Sequence, residues 1–145
     1  MVPTLLGRIQ TRLVLLAVVG GLVTAALAPL LPVPAPLADR YQAAYVVLAA
    51  VAALGLGWEL IYHVVMQWRW EKDWPTLLGL LTIVPEGILV WVAVRAGWLP
   101  GLPGPVPLDG FALDLATVWL AVWLVANGPL RVPFVRWRFR GGRFL

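Results

Sequence analysis

The chain has 145 residues, of which 61% are hydrophobic and 12% are charged, and its formal net charge is +4. Its mean hydropathy is +0.87. Soluble domains contain about 45–50% apolar and about 25% charged residues, so a water-soluble chain of this length could not bury this much apolar surface. The composition excludes a disordered chain, a disulfide scaffold, since cysteine is absent, and an ordinary soluble enzyme. It predicts an integral membrane protein.

Four segments are long and apolar enough to cross the hydrocarbon core, which takes about 20 residues of helix. They cover residues 13–31, 44–66, 77–97 and 111–129. The sequence therefore predicts an all-α fold in which four transmembrane helices form one compact bundle over residues 1–145. A basic aromatic tail follows at residues 130–145, and Pro85 predicts a kink inside the third helix.

The first segment has an alternative interpretation as a signal peptide. Arg8 and Arg12 precede it, and Ala26-Leu27-Ala28 resembles a cleavage site. Its apolar stretch is longer than the usual 7–15 residues of such peptides. We therefore expect a retained membrane span.

The Lys and Arg residues are distributed unevenly between the two predicted sides of the membrane. One side has two cations, Arg40 and Arg95, and the other has the remaining nine of the eleven. The nine are Arg8, Arg12, Arg69, Lys72, Arg131, Arg136, Arg138, Arg140 and Arg143. Because cytoplasmic loops carry the excess of positive charge, the sequence predicts a multi-pass protein of the inner or plasma membrane with both termini cytoplasmic.

Four titratable residues fall within the predicted spans: Glu59, His63, Glu86 and Asp114. An ionisable group at this depth costs about 2.5–3.5 kcal/mol on insertion scales, so it usually faces protein or water. At about 1.5 Å of rise per residue, Asp114 would lie near the outer surface, Glu86 near the midplane, Glu59 below it and His63 nearest the cytoplasm. The four side chains form a candidate ladder across the bilayer.

This ladder has several interpretations. It is either a proton or cation path with Glu86 as the central gate, or polar glue between helices in which Glu86 is protonated or paired with His63. Glu59, His63 and Glu86 also suit Zn²⁺, Fe²⁺ or Mn²⁺, although one copy offers few ligands. Haem on His63 would need a second ligand from another chain. We expect neither a metal nor a cofactor.

Tryptophan side chains recur at mid-depth. Trp58, Trp91, Trp119 and Trp123 lie within the predicted spans, where they either pack between helices or line a groove for lipid or quinone. The loop at residues 67–75 contains three further Trp residues among charged ones, a pattern typical of the aromatic belt at headgroup depth.

The C-terminal tail interleaves arginine with aromatic residues. In an extended chain, alternation places cations on one edge and rings on the other, which suits anionic lipid. The alternatives are docking of a partner and, with less support, binding of single-stranded nucleic acid. The predicted lipid- or partner-binding residues are Arg131, Arg136, Trp137, Arg138, Phe139, Arg140 and Arg143.

No catalytic motif stands out, because the sequence contains neither a Ser–His–Asp arrangement nor a Gly-rich phosphate loop. We therefore expect a small non-catalytic subunit, anchor or scaffold of a larger membrane assembly, which meets other subunits or further copies of itself. The alternative is a channel or transporter coupled to protons or ions. The preference for Arg over Lys, with many Ala, Leu, Val, Pro and Gly residues, suggests a bacterial source.

Overall fold

The computed structural model describes residues 3–72 and 74–145, and every regular element within these ranges is a helix. Four helical stretches are long and apolar enough to cross a membrane. They are the first span Leu5–Leu30, the second span Leu37–Gln67, the third span Thr76–Arg95 and the fourth span Leu108–Arg131. The prediction of an all-α fold with four helices long and apolar enough to span a membrane is therefore confirmed.

The spans are built from shorter helical elements. The α-helices are α1 (Leu5–Leu15), α2 (Gly21–Leu27), α3 (Leu37–Gln67), α4 (Thr76–Leu81), α5 (Ile83–Arg95), α6 (Leu108–Asn127) and α7 (Val135–Phe139). A π-helical segment, Leu16–Gly20, joins α1 to α2, and 3₁₀ turns cover Ala28–Leu30 and Pro129–Arg131.

The first span begins eight residues before the start predicted at residue 13. Thr4 caps the helix, since its side-chain oxygen accepts a hydrogen bond from the backbone N–H of Gly7 at 3.1 Å. Arg8 and Arg12 therefore lie inside α1, although the sequence analysis placed them in a flanking segment. The earlier start of the helix brings both arginines between the spans, where they contact Glu59.

The third span is interrupted where the sequence predicts a kink. Helix α4 ends at Leu81, Thr82 forms a turn, and α5 begins at Ile83. Pro85 has no N–H to donate to the carbonyl of Leu81, four residues earlier, and its ring crowds the same carbonyl. The break directs the start of α5, including Glu86, toward the protein interior, where Glu86 is 3% exposed.

The main apolar cluster contains residues from all four spans. Its buried members are Leu16, Val47, Ala50, Val51, Val90, Val94, Phe111, Leu115 and Val118. Large apolar side chains on the opposite faces, among them Leu22, Leu60, Ile88 and Leu120, are exposed. A protein with apolar residues both inside and outside is suited to lipid as its solvent.

The C-terminal tail folds back onto the first span and is not an extended strand. Trp137 on α7 is buried against Leu15 and Leu130, and its Nε1 donates to the Thr11 hydroxyl at 2.7 Å. The prediction that Trp137 faces lipid or a partner is therefore wrong. A tight turn makes the contact possible, because Gly141 and Gly142 adopt φ angles of +63° and +87°, which glycine accepts without strain.

Candidate functional site

Charged side chains from three spans meet between the helices near the N-terminal end of the first span. Arg12 Nη1 donates to Glu59 Oε1 at 3.1 Å and to Glu86 Oε1 at 3.3 Å. Arg12 Nη2 donates to Glu86 Oε2 and to the Val51 carbonyl, the latter at 3.2 Å. Arg8 Nε donates to Glu59 Oε2 at 2.7 Å. We call Arg8, Arg12, Glu59 and Glu86 the charge network.

The network is electrically balanced and well shielded. The side chains of Arg8 and Arg12 are each 9% exposed, and those of Glu59 and Glu86 are 11% and 3% exposed. Two cations and two anions share a region of low dielectric, where an unpaired charge would be costly. Their mutual hydrogen bonds compensate for the loss of water.

Gly55 makes room for the Arg12 guanidinium on the face of α3. A Cβ atom at position 55 would overlap Cζ, Nε and Nη2 of Arg12. The missing side chain allows the guanidinium to approach the α3 backbone closely enough to reach the Val51 carbonyl. Gly55 is one turn from Glu59, so α3 presents a recess, a carbonyl and a carboxylate to the same arginine.

Aromatic rings surround the two arginines. The Arg8 guanidinium carbon lies 4.9 Å from the Trp74 ring centroid and 5.9 Å from that of Tyr62. The Arg12 guanidinium carbon lies 5.7 Å from the ring centroid of Trp119 on the fourth span. These distances suit cation–π attraction, so the fourth span also contacts the charge network.

A cavity of about 220 Å³ borders the charge network. All four network side chains line it, together with Thr82 at the turn between α4 and α5 and Asn127 at the end of α6. Rings of Tyr62, Trp119 and Trp123 supply much of its apolar wall. We call this space the network cavity.

The structure separates the four residues of the predicted ladder. Glu59 and Glu86 meet through Arg12, whereas His63 neither contributes to the network cavity nor hydrogen-bonds to either glutamate within the described residues. Its Nδ1 is buried without a hydrogen-bond partner among those residues. Asp114 lies in a different cavity. The alternative in which Glu86 pairs with His63 is therefore wrong, and Arg12 is the partner of Glu86.

Trp119 and Trp123 join the fourth span to the third. Trp119 Nε1 donates to the Gly79 carbonyl at 3.3 Å, and Trp123 Nε1 donates to the Thr76 carbonyl at 2.9 Å. Both indoles thereby satisfy backbone oxygens of α4, the short helix before the break at Thr82. The same two rings pack between spans and line the network cavity, so they combine features of both interpretations of the mid-depth tryptophans.

The tail arginines are all exposed, and two of them also hydrogen-bond to the rest of the chain. Arg143 Nε donates to Thr4 Oγ1 at 3.2 Å, and Arg131 Nη2 donates to Asn127 Oδ1 at 2.9 Å. Arg136, Arg138, Phe139 and Arg140 are exposed. The basic surface predicted from the sequence therefore remains, but it is carried by a short helix fastened to α1.

The described residues do not assemble a metal centre. No group of three or more His, Asp or Glu side chains is placed to hold an ion in residues 3–72 and 74–145. The two glutamates that meet are bridged by a guanidinium, which occupies the position that a cation would take.

A scan against protein-family models found no matching family, and searches of the curated proteins and of the solved structures found no match. No relative therefore supplies a role for any residue of the site.

The interior roles of Arg8 and Arg12 were not predicted from the sequence, although two of its features point to them. Thr4 is a good N-cap, so the helix could begin before residue 13. The four-residue spacing of the two arginines also places them on one helical face, where they can meet the acidic residues of the other spans. Both arginines also belong to the asymmetry of positive charge, and that role alone does not reveal their contacts with the acidic residues.

Proposed function

We propose that this protein is a small non-catalytic subunit that anchors or scaffolds a larger membrane assembly. In this proposal it is a compact four-span bundle in the inner or plasma membrane of a bacterial cell, with both termini cytoplasmic. One observation carries the proposal: within the described residues, the four charges of the charge network pair only with one another and with the protein around them. These four charges neutralise one another and connect the spans, so they stabilise the helix packing.

A fixed guanidinium at the centre of the network supports this proposal over ion conduction. Arg12 carries a permanent positive charge, and it lies between the two glutamates that a cation path would use. A passing cation would have to displace it from two carboxylates and a backbone carbonyl. The arrangement favours a static connection between helices.

The loop between the second and third spans offers a surface for a partner. Trp68 and Trp70 are 84% and 99% exposed, and they flank Arg69. Exposed tryptophan and arginine are the residue types that contribute most often to interface hot spots. The exposed arginines of the tail add positive charge for anionic headgroups at the same predicted side of the membrane.

Purification from native membranes tests the proposal. Tagged wild-type protein extracted in mild detergent should retain a second subunit at fixed stoichiometry, and a Trp68→Ala/Trp70→Ala variant should lose it. Trp98→Ala is the matched control, because Trp98 is also exposed, at 63%, but follows the third span, whereas Trp68 and Trp70 precede it. Wild-type protein that is monomeric and free of any partner would contradict the proposal.

The network cavity favours one alternative, a transporter coupled to protons or ions. Its polar lining next to Glu59 and Glu86 could admit water or a small solute. Flux measured in proteoliposomes distinguishes the two functions. Proton or cation flux by the wild type that Glu86→Gln abolishes supports transport, whereas a silent wild type supports the anchor.

A further inference from the structure

A second cavity, of about 270 Å³, lies at the end of the molecule away from the docked tail. Two proline-rich connections enclose it: residues 31–36, between the first and second spans, and residues 103–106, between the third and fourth. The N-terminal parts of α3 and α6 complete the wall. We call it the loop cavity, and none of its lining residues belongs to the charge network.

Asp114 supplies the loop cavity with a buried carboxylate that no other described residue pairs with. The residue is 5% exposed, and its Oδ1 is buried without a hydrogen-bond partner in the described part of the chain. Buried carboxylates are normally paired or hydrogen-bonded, because an isolated one is costly. A buried acceptor that no described residue satisfies is a group to which a bound ligand can donate a hydrogen bond.

The other charged residues of the lining do not satisfy Asp114. Arg40 uses its guanidinium on the chain itself, since Nε donates to the Ala35 carbonyl at 2.9 Å and Nη1 to the Pro29 carbonyl at 3.1 Å. Asp39 has the same sign as Asp114. The three charged groups together give the lining a formal charge of −1, which suits a ligand with one positive charge.

The remaining walls are apolar and include an aromatic ring. Val47, Val106 and Phe111 line the cavity beside proline rings. Apolar walls bind an apolar ligand body, and an aromatic ring attracts an adjacent cation. A hard divalent ion is a poor match, because Ca²⁺ takes six to eight oxygen ligands and this cavity has few carboxylate oxygens.

We propose that the loop cavity binds an organic monocation, a protonated amine with an apolar body, whose ammonium group donates to the Asp114 carboxylate. The size of the cavity suits a small molecule with one ring or a short alkyl chain. The proposal goes beyond the anchor function and does not depend on it, since it uses different residues at the other end of the molecule.

Calorimetric titration of the 145-residue chain in detergent with benzylammonium tests the proposal. Wild-type protein should bind it saturably, and Asp114→Asn should weaken binding at least tenfold. The matched control is Asp109→Asn, because Asp109 is exposed five residues earlier on α6 and does not line the cavity. Benzyl alcohol, which has a similar shape without the charge, should bind wild-type protein at least tenfold more weakly.

The Asn variant should keep its fold, because the substitution preserves shape and removes a carboxylate that pairs with no other residue in the described part of the chain. Its melting temperature without ligand should therefore equal or exceed that of the wild type. Equal binding by Asp114→Asn and wild type, equal binding of benzyl alcohol, or no saturable binding of benzylammonium to the wild type would each overturn the proposal.

Discussion

Arg12 is the residue on which the interior of this protein depends most. Its guanidinium contacts carboxylates of the second and third spans and a carbonyl of the second, and it lies near Trp119 of the fourth. Removing one partner from a buried ion pair leaves the other charge unpaired in a region of low dielectric, which lowers stability by about 3–5 kcal/mol. Removing both partners together avoids most of that cost.

We predict that Arg12→Met lowers the free energy of unfolding by about 3–5 kcal/mol. Adding Glu86→Met should recover most of this loss, because the remaining Arg8–Glu59 pair is again neutral. Denaturant titration followed by helical circular dichroism in micelles measures both effects. Arg136→Met, at an exposed position, is the control, and a double variant no more stable than Arg12→Met would contradict the pairing argument.

Gly55 and Gly57 provide a matched pair at the residue scale. A Cβ at position 55 meets the Arg12 guanidinium, whereas one at position 57 has no atom within 4 Å. The Arg12 side chain is flexible, but moving it breaks its ion pairs. Gly55→Ala should therefore destabilise the protein by about 1–3 kcal/mol, and Gly57→Ala should stabilise it by up to about 1 kcal/mol. Thermal unfolding of both variants in the same detergent checks the opposite signs.

At the scale of elements, the tail and the first span form one structural unit. The Thr4 N–H donates to the Gly141 carbonyl at 2.9 Å, and the Phe144 N–H donates to Gln10 Oε1 at 2.9 Å. Gly7 leaves the surface of α1 open at the contact, because a Cβ there would overlap the Gly141 carbonyl. The buried ring of Trp137 secures α7 to this surface.

We predict that Trp137→Ala releases the tail, whereas Phe139→Ala does not, because Trp137 is 5% exposed and Phe139 is 74% exposed on the same short helix. Losing about 1.4 kcal/mol of docking free energy raises the undocked population tenfold. Limited trypsin digestion of protein in nanodiscs should therefore cleave the tail arginines at least tenfold faster in Trp137→Ala. Equal rates for the two variants would show that the ring does not hold the tail.

At the scale of the whole molecule, the positive charges have two functions that the sequence alone does not distinguish. Arg8 and Arg12 contribute to the asymmetry of positive charge, which predicts orientation, and they also neutralise Glu59 and Glu86 in the interior. Without these two, seven of the nine cations on the predicted cytoplasmic side remain, against two on the other side. The predicted orientation therefore does not depend on the arginines of the charge network.

Labelling with an impermeant maleimide tests this orientation, and the absence of native cysteine keeps the background low. We predict that Trp70→Cys and Leu145→Cys in right-side-out vesicles react only after the membrane is opened. Trp98→Cys should react at once. All three positions are exposed on the protein. The opposite pattern would reverse the orientation, and different sides for positions 70 and 145 would contradict the four-span topology.

The sequence predicted only part of the site, as three residues show: Glu59, Glu86 and His63. Their presence inside apolar segments marks the two glutamates as buried groups that need partners. The choice between His63 and Arg12 as that partner depends on the rotation and register of three helices. His63 is one turn from Glu59 on α3, yet the N-cap at Thr4 and the recess at Gly55 bring Arg12 to both carboxylates.

The sequence by itself determined the helical class and the number of spans. Hydrocarbon thickness sets the length of each apolar run, and a backbone in lipid must satisfy its own hydrogen bonds, which a helix does locally. Tertiary structure decided which charges pair, where the tail lies and that the buried Asp114 has no partner among the described residues. Those contacts join residues as distant as Thr4 and Gly141, so they depend on helix packing that no local pattern in the chain records.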